Sequence, residues 1–272
     1  MLRTAGRRSI VALATLSLVL GGCASALEGS GEFMDVPGGQ IHVWCDGSGD
    51  GPTVVFLSAV GGDHSLVPIA ERIQSDHRVC FYDRPGDNDT APPDQPRDAA
   101  SDAADLHELL GVAGIDGPVV LVGHSYGGLV ALVAAADHPE DVAGMVLVDG
   151  SHPDAEAAMS EAMTEAQRAY FDDRMLNFPY VDWPTSLEQA GDAVPRIPDI
   201  PVTVLTATRS FLEPCDPALP CAELQEIWLD AQATYATLTS KTKQVMADTS
   251  HYVHDDDPDL VESEIRALLD QF

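Results

Sequence analysis

The segment Val119-Val120-Leu121-Val122-Gly123-His124-Ser125-Tyr126-Gly127-Gly128 constrains this chain more than any other. Its four apolar residues, three of them β-branched, predict a buried strand, and the apolar run over 129–136 predicts a helix. The G-x-S-x-G between them predicts a sharp strand-to-helix turn. Glycines at 123 and 127 let backbones approach closely while the central serine is held at strained dihedrals and projects above the sheet. A hydroxyl beside a helix N-terminus lies among free amide donors at the positive end of the helix dipole, where developing negative charge is stabilised. Ser125 is therefore the candidate nucleophile.

From Phe33 onward, short apolar runs alternate with amphipathic stretches. This is the βαβ rhythm of an α/β domain, a mostly parallel sheet covered by helices on both faces. Strands are expected over 41–45, 53–57, 79–82, 119–122, 145–148, 202–206 and 243–247. Helices are expected over 66–74, 101–110 with Ser101 as N-cap, 128–136, 223–238 and 259–272. The interval between Val148 and Val202 is too long for an ordinary connection and holds Met159, Met163, Tyr170, Phe171, Phe178 and Trp183. It is expected to form a helical lid over about 151–198, with a helix over 156–174.

With these elements in place, residues 33–272 resemble the α/β-hydrolase family, and Asp83-Arg84-Pro85-Gly86 is similar to that family's turn. Dehalogenases and epoxide hydrolases of this fold carry aspartate at the elbow. A serine there implies acyl transfer through an acyl-enzyme, with ester, thioester and amide substrates open. The resemblance puts the base after the last strand, in Thr249-Ser250-His251-Tyr252, so His251 is expected in that role ahead of His254, His152 and His124. The usual position of the acid is held by Ser210, which has no carboxylate. The resemblance also admits an acid after the preceding strand, which selects Asp149, with Asp216 and Glu213 as alternatives from the later loop. The oxyanion donors it implies are the backbone N–H groups of Tyr126 and Val60. Val60 lies in Ser58-Ala59-Val60-Gly61-Gly62, where the family usually has His-Gly in place of Ser58-Ala59. A non-catalytic ligand-binding lipoprotein on the same fold is the competing class, and the altered positions 58–59 and 210 speak for it.

At the N-terminus, Arg3, Arg7 and Arg8 precede an apolar run over 10–20 that is too short to span a bilayer comfortably, the pattern of an export signal. Leu20-Gly21-Gly22-Cys23 resembles a bacterial lipobox. That resemblance implies a signal peptide over 1–22, lipid on Cys23, a tether over 23–32 and attachment to the cell membrane. Ala24-Ser25-Ala26 offers an ordinary cleavage site and a secreted product instead. With Cys23 taken by lipid, four cysteines remain in an oxidising compartment. Local pairing of Cys215 with Cys221 leaves Cys45 with Cys80.

The balance of 14 basic against 44 acidic residues, net charge -30, excludes a nucleic-acid partner. The expected partner is a small-molecule acyl substrate. No P-loop or dinucleotide fingerprint calls for a cofactor. No cysteine pair has metal spacing, and the acidic run over 255–259 reads as a helix N-terminus, so no metal is expected.

Overall fold

The computed structural model describes residues 31–209 and 216–272, apart from the side chain of Met175. Cys23, the signal segment, Ser210, Glu213 and Cys215 lie outside the described residues. The strands are β1 (Glu32–Val36), β2 (Gly39–Asp46), β3 (Val54–Leu57), β4 (Val79–Asp83), β5 (Val119–His124), β6 (Val142–Val148), β7 (Val202–Ala207) and β8 (Thr242–Ala247). They form one sheet in the order β1-β2-β4-β3-β5-β6-β7-β8. The β1–β2 and β2–β4 pairs are antiparallel and all others are parallel.

The central strands are apolar and buried along their whole length, as strands covered on both faces must be. Their side chains alternate between two cores. Val55, Leu57, Leu121 and Leu147 pack beneath α2 (Ala99–Val112), α3 (Tyr126–Asp137) and α6 (Trp183–Ala193). Val54, Phe56, Val122 and Val148 pack against α1 (Val67–Ile73) and α9 (Pro258–Leu269), which follows the one-turn α8 (Val253–Asp256). Among the described residues no helix is long and apolar enough to cross a membrane.

Several details differ from the sequence reading. Glu32, placed in the tether, pairs with Val43 as the first residue of β1. Asp98, not Ser101, caps α2, accepting the Ser101 N–H at 2.8 Å. The single helix expected over 156–174 is two, α4 (Ala155–Ala162) and α5 (Glu165–Met175). Met163 is extended there, and Thr164 starts α5 with a capping box closed by Gln167, which outweighs the continuous helical periodicity. Helix α6 was not anticipated. Its signal is Asp182, which accepts the Thr185 N–H at 3.2 Å, with Pro184 in the first turn.

Cys45 and Cys80 face each other in the β2–β4 register, with Cα atoms 4.1 Å apart, and form a disulfide. Such a bridge, closing a 35-residue separation, contributes about 2–4 kcal/mol by restricting the unfolded chain. Cys221 is also disulfide-bonded. Its expected partner lies outside the described residues.

Candidate active site

Ser125 stands between β5 and α3 at φ 51°, ψ −118°, a backbone conformation costly for any residue with a side chain. The neighbouring glycines are what permit it. A Cβ on Gly123 would lie 2.5 Å from the Gly127 carbonyl oxygen, and one on Gly127 would lie 2.2 Å from that of Leu57. The turn is tied down because the Ser125 carbonyl accepts from Gly128 N at 2.9 Å and from Ser151 N at 3.0 Å. As the first residue of α3, Tyr126 has a backbone N–H with no intrahelical partner.

Asp149 follows β6, also with a left-handed backbone at φ 42°, and is fully buried. Its Oδ1 accepts from Ala207 N at 2.9 Å and from Trp228 Nε1 at 3.3 Å. Its Oδ2 accepts from His251 Nδ1 at 2.7 Å. That bond puts the imidazole proton on Nδ1 and leaves Nε2 with a free lone pair. The strained turn is held from the other side by α7 (Cys221–Thr234) and the residue that follows it. Gln232 donates to the Gly150 carbonyl at 2.6 Å, and Tyr235 Oη donates to that of Ser151 at 3.0 Å.

Ser125, His251, Trp228 and Val60 line one cavity of about 360 Å³. The segment between β6 and β7 supplies much of its apolar wall through Met159, Phe171, Phe178 and Trp183. A second cavity of about 690 Å³ lies on the other side of His152 and contains none of Ser125, His251 or Asp149.

Residues 54–264 match the Alpha/beta hydrolase family. The chain belongs to that family. It is 24% identical over 231 residues to the uncharacterized protein YqjL of Bacillus subtilis strain 168, covering 83% of this chain and 87% of that one. A proposed carbamate hydrolase, RutD, of Escherichia coli is 37% identical over 108 residues, but the match spans only 37% of this chain and 38% of RutD. A thermophilic esterase from Thermogutta terrifontis has the same fold, with TM-score 0.60 and 20% identity over 89% of this chain and 98% of the esterase.

The other candidate residues of this hydrolase go elsewhere. The Asp216 carboxylate takes the Tyr170 hydroxyl and, at 2.9 Å, the Ala218 N–H. His152 pairs with Thr234 Oγ1 at 2.8 Å, and burial pushes its pKa down to about 4. His124 is fully buried beneath His251, donates Nε2–H to the His251 carbonyl at 3.2 Å, and is held neutral by burial. His254 is also buried, with a lowered pKa. In the acidic run, Asp257 caps α9, and Asp256 accepts from Ser250 N and Arg209 Nη2, both at 2.7 Å. Asp256 therefore fastens the loop that carries His251.

Arg84, which the sequence shows only as part of the Asp83-Arg84-Pro85-Gly86 turn, braces the segment that carries Val60. Buried, it donates Nη1–H to the Ser58 carbonyl at 3.1 Å, Nη2–H to that of Ala59 at 2.6 Å, and Nε–H to Asp87 at 2.9 Å. Its guanidinium also lies 5.0 Å from the Tyr126 ring centroid. Because a peptide group is planar and trans, holding the Ala59 carbonyl toward Arg84 turns the Val60 N–H the opposite way.

Proposed function

We propose that this protein is a serine hydrolase that cleaves a carboxylic ester or related acyl substrate through an acyl-enzyme on Ser125. The observation that carries the reading is the 2.7 Å bond from His251 Nδ1 to the fully buried Asp149, in a chain whose strained Ser125 shares a cavity with His251. Asp149 holds the tautomer in which Nε2 accepts the Ser125 hydroxyl proton as Oγ bonds to the carbonyl carbon. The Val60 and Tyr126 N–H groups receive the charge that develops on the carbonyl oxygen. When the bond to the leaving group breaks, His251 returns the proton to the departing oxygen. Water then enters by the same route in reverse and releases the acid. The β6–β7 insertion acts as the lid that supplies the apolar wall.

A fluorophosphonate probe tests the reading. Wild-type protein is expected to label once, on Ser125, and to hydrolyse a neutral nitrophenyl ester; Ser125→Ala should do neither. A folded wild type that resists labelling would return the case to a ligand-binding protein. The export signal and Leu20-Gly21-Gly22-Cys23 support anchoring through lipid on Cys23. The mature protein should then partition with membranes and carry a lipid-modified N-terminal Cys23. An unmodified N-terminus elsewhere, by mass spectrometry, would mean secretion instead.

A further inference from the structure

At the other end of α3 from Ser125, two histidines and a carboxylate converge from separate elements. His107 is on α2, His138 caps the C-terminus of α3, and Asp141 precedes β6. Twelve helical residues separate Ser125 from His138, so the cluster lies roughly 18 Å from the elbow along the helix axis. It plays no part in the proposed chemistry. His107 Nδ1 is 2.6 Å from Asp141 Oδ2 across 34 residues of sequence, and the His107 and His138 rings stack with centroids 4.2 Å apart and planes 11° apart. One potential ligand atom from each of the three lies within 4.8 Å of the other two.

We propose that His107, His138 and Asp141 form a binding site for a borderline divalent transition cation, with Zn²⁺ as the best fit. The donor set is two imidazoles and one carboxylate, which favours Zn²⁺, Cu²⁺ or Ni²⁺ over Ca²⁺ and Mg²⁺, whose sites are built from oxygens. Ligand atoms on a tetrahedral Zn²⁺ at 2.0–2.1 Å sit roughly 3.3 Å apart. The cluster therefore has to rearrange: the His107–Asp141 contact opens, and one imidazole turns out of the stack so that the in-plane lone pairs of both rings meet at the ion. All three side chains are half-buried, leaving room for water as a fourth ligand. Glu108 and Glu140 rim an adjoining cavity of about 310 Å³ lined also by His107 and Asp141, and so place further negative charge at the entrance. A bound ion would staple α2 to the turn between α3 and β6, far from the cavity that holds Ser125.

Titration calorimetry and thermal unfolding of tag-free full-length protein with ZnCl₂ test the proposal. Saturable binding of about one ion per chain and a matching rise in Tm are expected, with MgCl₂ and CaCl₂ giving no comparable shift. His107→Gln, His138→Gln and Asp141→Asn should each weaken Zn²⁺ binding by at least about 10-fold. Their metal-free Tm values show whether each variant is folded. Ester hydrolysis by the metal-free protein should be unchanged in all three. Absence of saturable binding, or equal binding by folded variants, would overturn the site, the latter placing the ion elsewhere on the acidic surface.

Discussion

Asp149→Asn is expected to lower kcat by about 10⁴-fold while the protein stays folded. The surroundings of Asp149 determine how the substituted amide must sit. Ala207 N–H and Trp228 Nε1–H both point at Oδ1, so the amide oxygen has to remain there. Its NH₂ group then faces His251 Nδ1, where Oδ2 stood. A donor at that place requires Nδ1 to accept, which moves the imidazole proton to Nε2. With a proton on Nε2 the ring cannot take one from Ser125. Asp216→Asn changes a carboxylate held by the Tyr170 hydroxyl and the Ala218 N–H, and should change kcat little. Steady-state hydrolysis of a neutral ester, with thermal unfolding as the control, decides the matter. An active Asp149→Asn beside a dead Asp216→Asn or Glu213→Gln would move the acid to the later loop.

The parts legible in the sequence are those whose causes are local. Strands β3 to β7 announce themselves as continuous apolar runs because helices cover both of their faces. Strand β1 escaped because it lies at the sheet edge and its Glu32-Phe33-Met34-Asp35-Val36 stays largely solvated, so no buried run marks it. The division of α4 from α5 was hidden because Thr164 and Gln167 act through capping bonds that leave the helical periodicity intact. At the site, chain order was enough to nominate Ser125, His251 and Asp149, which the fold brings together. It leaves Asp216 and Glu213 standing as alternatives to Asp149, because the groups that hold Asp149 lie 58, 79 and 102 residues away. The altered Ser58-Ala59 turn and the Asp83-Arg84-Pro85-Gly86 turn read as two separate features of the sequence. In the fold, Arg84 joins them through the carbonyls of Ser58 and Ala59 on one side and Asp87 on the other.

That junction makes Arg84 the second position where substitution should have a large effect. Arg84→Met leaves Asp87 a buried carboxylate without its cation, removes the donor to the Ser58 carbonyl and leaves the Ala59 carbonyl with the Gly62 N–H at 3.3 Å. Breaking a buried pair in this way costs about 3–5 kcal/mol. The variant should therefore unfold at a clearly lower temperature, and loss of activity in it would say nothing specific. Arg84→Lys separates the two roles. It keeps the charge beside Asp87, but a single ammonium on a flexible stem cannot also reach both carbonyls as the planar guanidinium does. The Ala59 carbonyl then keeps the longer bond from Gly62 N at 3.3 Å, so the peptide group between Ala59 and Val60 can tilt and the Val60 N–H is less firmly directed. Complete removal of an oxyanion donor costs about 10²–10³-fold in kcat, so a donor that is only loosened should cost about 10–10²-fold. Because the charge on that oxygen develops in the transition state, the loss should fall on kcat with KM little changed. Wild-type kcat in a folded Arg84→Lys protein would show that the oxyanion loop keeps its shape without the guanidinium, leaving Arg84 a purely structural ion-pair partner of Asp87.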